Sequence, residues 1–177
     1  DFTRAYTSVQ KRAIRTLYFA LGEMDRLWLP VVKDWHLNER HYGGLTGLNK
    51  KETAARHGDD QVKVWRRSFD IPPPDMETGT EFDLSSDPRY RGIAIPKTES
   101  LKTTLARVLP YWTSEIAPKL KAGENIVIAA HGNSLRAIVK HLFEVPDSEI
   151  TEVEIPTGNP LLIDLDNSLK VKAARYL

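Results

Sequence analysis

The segment 38–50, Asn-Glu-Arg-His-Tyr-Gly-Gly-Leu-Thr-Gly-Leu-Asn-Lys, combines side chains that suit chemistry more than packing. Glu39 offers a proton acceptor beside donors that suit an oxyanion. The glycines of the segment permit left-handed backbone conformations and a close approach to a ligand. The segment therefore predicts a catalytic loop, although a solvated loop rich in turn residues has a similar composition.

A second segment, 125–142, has the pattern of a strand, a turn and a helix. Residues 126–130 form an unbroken apolar run, which is typical of a central strand buried on both faces. His131 follows at the carboxyl end of that strand, and the turn after it opens a helix whose free amide groups favour an anion. Asn133 or Ser134 could cap this helix. The placement favours a functional role for His131, although a lone histidine is more often structural.

The apolar periodicity predicts the other elements, and with them an α/β fold. The end of a strand is expected at 5–8, helices over 9–21, 51–67 and 99–120, strands over 27–32 and 161–165, and a surface excursion or lid over 75–96. Thr7 or Ser8 would cap the first helix, and Pro110 would interrupt or bend the third. We expect a single domain, 1–177, with one largely parallel sheet flanked by helices on both faces.

Arginines near the predicted site admit two interpretations. Arg12 lies about one turn inside the first helix, near the strand ends where we expect His131, yet most arginines simply lie on a surface. Arg66 and Arg67 close the second helix, where they could complement its dipole or clamp a phosphate or carboxylate. The local sequence leaves both interpretations open.

The composition excludes several classes of protein. The 177 residues carry a net charge of +1 with both signs interspersed, which argues against a nucleic-acid or membrane-surface partner. Cysteine is absent, so disulfides and thiolate chemistry are excluded. No apolar run approaches the ~20 residues that span a bilayer, no signal-peptide pattern opens the chain, and no His, Asp or Glu set has metal-ligand spacing. We expect a cytoplasmic protein without a metal.

These motifs, taken together, resemble the cofactor-dependent phosphoglycerate mutases of the histidine phosphatase superfamily. The resemblance is carried by residues 7–16, 37–50, 64–67, 130–136 and 155–158. It implies interconversion of 3-phosphoglycerate and 2-phosphoglycerate in glycolysis and gluconeogenesis, primed by 2,3-bisphosphoglycerate and needing no metal. It also implies a small phosphorylated carboxylate as substrate and a homo-oligomer, either a dimer or a tetramer.

The resemblance further implies roles for individual residues. Glu39 would donate and accept the proton of the substrate hydroxyl, and His131 would stabilise the transferring phosphoryl group. The implied substrate-binding residues are Arg12, Arg40, His41, Tyr42, Lys50, Arg66, Arg67, Gly132 and Asn133. Phosphoryl transfer asks a protein mainly for alignment and fixed positive charge, and these cations supply that charge.

One feature of the family, a buried strand followed by Arg-His-Gly-Glu-Ser, finds no match in this sequence. Arg56-His57-Gly58 follows helix formers, so we interpret His57 as a helix-end residue with Gly58 as its C-cap. His36 and His141 have no companion groups and are expected to be surface or structural residues.

We therefore interpret the chain as an N-terminally truncated mutase, with the phosphoryl-carrying histidine preceding Asp1. Such a fragment would be inactive and marginally stable by itself, with an unfilled groove or a neighbouring chain beside residues 126–130. Two alternatives stay open: a bisphosphoglycerate synthase or phosphatase that uses the same residues, and a non-catalytic anion-binding fragment if the chain begins at Asp1.

Overall fold

The computed structural model describes residues 1–177, apart from the side chains of Lys50 and Arg67. Its strands are β1 (Arg4–Thr7), β2 (Val31–Lys33), β3 (Ile126–Ala129), β4 (Leu161–Leu165) and β5 (Val171–Tyr176). Its α-helices are α1 (Lys11–Glu23), α2 (Lys50–His57), α3 (Asp59–Arg67), α4 (Leu101–Tyr111), α5 (Ala117–Lys121) and α6 (Gly132–Phe143). A π-helical turn, Trp112–Ile116, joins α4 to α5. None of the helices in the described part of the chain is long and apolar enough to cross a membrane.

The chain divides into two compact units. The first comprises Asp1–Glu39 and Leu105–Leu177, and the second comprises Arg40–Thr104. One boundary thus falls between Glu39 and Arg40, inside the segment that we predict to be catalytic. Residues 75–96 belong to the second unit and contain only short 3-10 turns, Leu84–Ser86 and Pro88–Tyr90. The single domain and the lid stay predictions.

A parallel sheet forms the centre of the first unit. Strand β1 pairs in parallel with β2 on one side and β3 on the other. Helix α1 follows β1 and buries one apolar stripe, Ala13, Leu17 and Leu21. Leu17 and Leu21 pack with Ala5 and Leu29 in the core. The amphipathic spacing of these residues is what favours a helix here. An α/β fold with a parallel sheet flanked by helices is therefore confirmed.

Three strands differ from the predictions. The strand expected over 27–32 is only Val31–Lys33, because residues 26–29 form a turn in which the Leu29 amide donates to the Arg26 carbonyl. The apolar run 126–130 predicted a central strand, but β3 has only β1 as a partner among the described strands and all four of its residues are half-buried. Strand β4 pairs antiparallel with β5 in a second sheet, where we predicted one sheet. A tight turn explains the local hairpin, because Asp166 accepts the Leu169 amide and its side chain accepts the Ser168 amide. Apolar patterning predicts a strand but not its partner.

Helix ends also differ from the predictions. The helix expected over 51–67 is broken by Gly58, whose φ of +81° ends α2, so Gly58 is its C-cap as interpreted. The helical stretch expected over 99–120 instead begins at Leu101. Pro110 lies inside α4, immediately before the π-helical turn. The chain is helical in both predicted stretches, but the first divides into α2 and α3 and the second contains a π-helical turn between α4 and α5.

The predicted caps of α1 and α6 are wrong. Gln10 is the N-cap of α1, because the hydroxyls of Thr7 and Ser8 bond elsewhere. His131 is the N-cap of α6, and the Ser134 hydroxyl reaches back to accept its backbone amide at 3.2 Å. Ser8 therefore bonds to His131 and does not cap α1, whereas Ser134 takes part in the capping box of α6 from its N3 position and is not the N-cap itself.

Candidate active site

The register of the parallel strands places Ser8 beside His131. Thr7 pairs with Ala129, and the Thr7 hydroxyl donates to the Ala129 carbonyl at 2.6 Å. The chains then leave β1 and β3 at the same edge of the sheet, as the carboxyl ends of parallel strands do. There the Ser8 hydroxyl lies 2.8 Å from Nε2 of His131.

The partners of His131 define its tautomer. The Nε–H group of Arg12 donates to Nδ1 at 3.2 Å. Because a guanidinium can only donate, Nδ1 must be unprotonated, and a neutral ring then carries its hydrogen on Nε2. Nε2 consequently donates to the hydroxyl oxygen of Ser8, which also accepts the Gln10 amide at 3.1 Å. His131 is thus held as a neutral, oriented imidazole.

Burial keeps that imidazole neutral. The ring is 6% exposed, and burial, followed by the positive charges of Arg12 and Arg107, lowers the pKa of His131 from 6.5 to about 4. A bound anion would offset both causes, because it would supply a negative charge to a desolvated ring. The site therefore resembles a receptor prepared for a phosphate group.

This lowered pKa predicts a pH dependence of stability. Between pH 6.5 and about 4 the unfolded chain binds a proton at His131 that the folded protein does not bind. The free energy of unfolding should therefore fall as the pH falls through this window, by up to about 3 kcal/mol from this group. Urea denaturation at several pH values checks it.

The control for this prediction is His131→Asn, which removes the titrating ring. The difference in free energy of unfolding between the two proteins should change between pH 7.5 and pH 4.5, since other groups titrate in both. A difference that stays constant across that range would show that His131 is not the source.

Glu39 lies against the start of α6. Its Oε1 accepts the Asn133 backbone amide at 3.3 Å and the Asn133 side-chain amide at 2.9 Å. The Asn133 side chain is oriented in turn by Arg136, whose Nη1 donates to Oδ1 at 2.8 Å. The backbone amide of Glu39 donates to Oε1 of Gln10 at 3.1 Å. The carboxylate of Glu39 therefore binds the turn that carries the imidazole of His131, since Asn133 and His131 are two residues apart.

In the second unit, two guanidinium groups face the ring of Tyr42. The Cζ of Arg40 lies 4.5 Å from the ring centroid, and that of Arg66 lies 5.9 Å from it. Arg40 is 3% exposed and donates from Nη2 to the Trp65 carbonyl at 2.7 Å. Within the described part of the chain, the Nε of Arg66 is buried without a hydrogen-bond partner. A buried donor of this kind costs about 1–3 kcal/mol unless an acceptor reaches it.

His41 shows the same condition next to Glu99. Oε2 of Glu99 lies 2.8 Å from Nδ1 of His41 and accepts its backbone amide at 3.0 Å. Glu99 is 1% exposed, and as an ionised carboxylate it only accepts, so Nδ1 carries a hydrogen. Among the described residues, nothing bonds the buried Nε2 of His41. The Nε of Arg66 is thus a buried donor, and the Nε2 of a neutral His41 is a buried acceptor, each without a hydrogen-bond partner among the described residues.

Gly43 makes this loop conformation possible. Its φ is +55°, and a Cβ there would overlap the Pro74 carbonyl oxygen and the Thr98 side chain. The amide of the next residue, Gly44, donates to the same Pro74 oxygen at 2.8 Å. The predicted left-handed backbone is confirmed at Gly43, where the close approach is to another part of the chain. A close approach of this loop to a ligand stays a prediction.

The predicted site residues thus fall in two groups. Those in the first unit are Arg12, Glu39, His131, Gly132 and Asn133, and those in the second are Arg40, His41, Tyr42 and Arg66. The side chains of Lys50 and Arg67 lie outside the described part of the structure.

The histidines expected to have no catalytic role have ordinary surroundings. His57 is the exposed last residue of α2, with its ring centroid 5.0 Å from that of Trp65. His36 pairs with Asp34 at 2.7 Å and stacks on Tyr111, while the exposed His141 meets Trp112 edge-on.

Sequence patterns missed several partners of these groups. Ser8 and Gln10 bond to His131 and Glu39, and Glu99 bonds to His41. Ser8 could have been found from the sequence, because it lies in the strand end predicted at 5–8, at the edge of the sheet where His131 is expected. Glu99 had none, since a single carboxylate before a helix is common and its partner is 58 residues away in the chain.

Comparisons with known proteins identify the family of the chain. The family model of the histidine phosphatase superfamily (branch 1) matches residues 1–86 and 83–172. A 2,3-bisphosphoglycerate-dependent phosphoglycerate mutase of Hyphomonas neptunium is 72% identical over 177 residues, which are 100% of this chain and 75% of that protein. The protein of the same name from Caulobacter vibrioides is 66% identical over the same shares.

Solved structures with similar folds are more distant in sequence. A mycobacterial glucosyl-3-phosphoglycerate phosphatase aligns with a TM-score of 0.63 at 19% identity, covering 99% of this chain and 76% of that chain. The alpha-ribazole phosphatase of Shigella flexneri aligns with a TM-score of 0.67 at 18% identity, covering 100% and 73%. At these identities the likeness shows the fold alone.

Proposed function

Because the chain belongs to the histidine phosphatase superfamily and, within it, to the 2,3-bisphosphoglycerate-dependent phosphoglycerate mutases, we propose that it interconverts 3-phosphoglycerate and 2-phosphoglycerate. The observation that carries this proposal is the start of α6, where Glu39 binds Asn133 and His131 is the N-cap. The turn combines a proton acceptor with groups suited to a phosphoryl oxygen.

Glu39 would handle the proton of the reacting hydroxyl. Its carboxylate would take the proton as the hydroxyl is phosphorylated and return it when the phosphoryl group leaves again. The two Asn133 donors orient the carboxylate, and Gln10 holds its backbone amide, so little reorganisation is needed during turnover.

His131, Arg12 and the first amides of α6 would stabilise the transferring phosphoryl group. The guanidinium of Arg12 carries a fixed charge 3.2 Å from His131, and the α6 amides add partial positive charge. In the free protein the Arg12 and His131 side chains bond to each other. A phosphoryl group would replace that contact with charge-assisted hydrogen bonds of its own.

The second group would bind the anionic parts of the substrate. The buried Nε of Arg66, which has no partner among the described residues, suits a phosphate or carboxylate oxygen, and Arg40 adds charge beside the same Tyr42 ring. The Nε2 of His41 would accept a hydrogen bond, for example from a hydroxyl group of the substrate. The same residues would hold 2,3-bisphosphoglycerate, which supplies the priming phosphoryl group when it is bound. We extend the proposal to Lys50 and Arg67 from the resemblance alone.

An assay of the full-length protein tests the function. The resemblance assigns the phosphoryl carrier to a histidine preceding Asp1, so any residues that precede Asp1 must be present. With catalytic 2,3-bisphosphoglycerate, 3-phosphoglycerate should become 2-phosphoglycerate, measured by coupling to enolase. A folded, primed protein that only releases inorganic phosphate would instead indicate a phosphatase.

Chelation should leave this activity unchanged. The arginines would neutralise the charge on the transferring phosphoryl group, as a divalent cation does in many phosphoryl-transfer enzymes. We expect the same kcat before and after exhaustive treatment with EDTA. Loss of turnover that added magnesium or manganese restores would overturn the expectation.

Two further proposals concern location, which rests on the composition, and assembly, which rests on the resemblance. We expect a cytoplasmic homodimer or homotetramer. Light scattering on the purified full-length protein gives the mass directly, and a monomer at micromolar concentration would contradict the oligomer.

A further inference from the structure

Arg107, in α4, makes an unusual set of hydrogen bonds to one short stretch of backbone. Its Nη1 donates to the carbonyls of Trp35 at 3.2 Å and His36 at 2.7 Å. Both Nη1 and Nη2 donate to the carbonyl of Asn38 at 3.3 Å. Arg107 is 8% exposed, so these are contacts of a buried guanidinium. Its five donors in a rigid fork suit several carbonyls at once, whereas a lysine has one point of charge.

The carbonyl of Asn38 belongs to the same peptide unit as the amide of Glu39. Arg107 holds the oxygen of that unit, and Oε1 of Gln10 accepts its N–H at 3.1 Å. Since a peptide unit is planar, holding both ends fixes the direction in which the chain enters Glu39. The Asn38 side chain adds a third restraint, because its Oδ1 accepts the Val9 amide at 3.2 Å.

We propose that Arg107 is a positioning residue for Glu39: by binding the carbonyls that precede it, Arg107 holds the carboxylate against the start of α6. The inference rests on the proposed function, in which Glu39 transfers the proton. Arg107 itself touches no reacting atom in this scheme. It acts through the backbone.

The charge of Arg107 reaches the other catalytic candidate as well. It is one of the causes, after burial and Arg12, that lower the pKa of His131. One buried guanidinium is therefore coupled to both the carboxylate and the imidazole. This coupling supports a role for Arg107 in the site, in addition to holding α4 against residues 35–38.

The test compares Arg107→Lys with Arg4→Lys in the full-length protein. Arg4 also forms hydrogen bonds, to Glu124, but lies at the opposite end of β1. We expect Arg107→Lys to lower kcat by about tenfold with KM nearly unchanged, because a misplaced proton acceptor affects the chemical step. Arg4→Lys should leave both constants near those of the parent. If Arg107→Lys keeps the parent kcat, or if only KM changes, the inference is wrong.

Chemical rescue separates positioning from general stability. In Arg107→Ala, millimolar guanidinium should restore part of the lost kcat by occupying the vacated place. The same salt should not raise the activity of Arg4→Ala. Failure of guanidinium to restore kcat in folded Arg107→Ala would overturn the proposal.

Amide hydrogen exchange supplies a readout that does not depend on activity. Replacing Arg107 should speed exchange of the Glu39 amide by about tenfold or more while the amides of β1 keep their protection. Unchanged protection at Glu39, or an equal loss throughout β1, would overturn the inference. If the parent protein lacks mutase activity but its exchange pattern responds as expected, the proposed function has failed while the positioning contact stands.

Discussion

Glu39→Gln is expected to lower the kcat of phosphoglycerate interconversion by roughly 10²–10⁴-fold, the usual effect of losing a general acid–base. The glutamine side chain keeps the shape of glutamate and an oxygen that can still accept from Asn133, so the fold and the entry of the chain should persist. The amide cannot take up a proton. The loss should therefore fall on kcat, while KM changes little.

A matched control is Glu23→Gln, which makes the same chemical change at an exposed position at the end of α1. Both variants should unfold at the parent temperature. Turnover of Glu39→Gln within twofold of the parent would remove Glu39 from proton transfer, and the carboxylate would then be assigned to orienting Asn133 alone.

The turn at His131 and Gly132 could be predicted from sequence because its signals are local. An apolar run followed by His131 and Gly132 predicts a strand end and a helix start, whatever the rest of the chain does. The loop that begins at Glu39 is equally local, since its glycines and charges are adjacent. The predicted residues in each segment accordingly occupy the expected elements.

Long-range partners could not be predicted in the same way. Arg107 lies on an amphipathic helix where an arginine is ordinary, and nothing nearby indicates that it bonds to carbonyls about 70 residues earlier in the chain. The pairing of β4 with β5 and the partial burial of β3 also could not be predicted from the local sequence. Each depends on which strand lies alongside, and a sequence pattern defines a face but not a neighbour.

Each of the two units contains a buried nitrogen-bearing side chain that a nearby negative charge would stabilise. His131 stays neutral because it is desolvated beside positive charge, and Arg66 carries a buried donor that no acceptor satisfies. Both conditions cost free energy in the unliganded protein. An anionic group bound beside either side chain would remove the cost at that position.

The second large effect is expected from Arg66→Ala, which should raise KM for phosphoglycerate about tenfold to a hundredfold or more. A hydrogen bond to a charged group contributes about 1.5–3 kcal/mol, and each 1.4 kcal/mol is about tenfold in affinity. Arg66 has a buried Nε without a partner within the described residues, and its guanidinium faces Tyr42, so its donors are in place before the ligand arrives. The effect should appear in KM and much less in kcat, as steady-state kinetics will show.

Two variants make that result specific. Arg56→Ala removes an exposed arginine of α2 in the same unit and should leave KM unchanged, which controls for the loss of positive charge alone. Arg66→Lys should recover only part of the affinity, because an ammonium group keeps the charge but cannot reproduce the planar fork. If Arg66→Lys matched the parent, charge would be sufficient and the bidentate contact would be refuted. If Arg66→Ala left KM unchanged, the buried nitrogen would serve packing beside Tyr42, and the anion clamp would have to be assigned to Arg40.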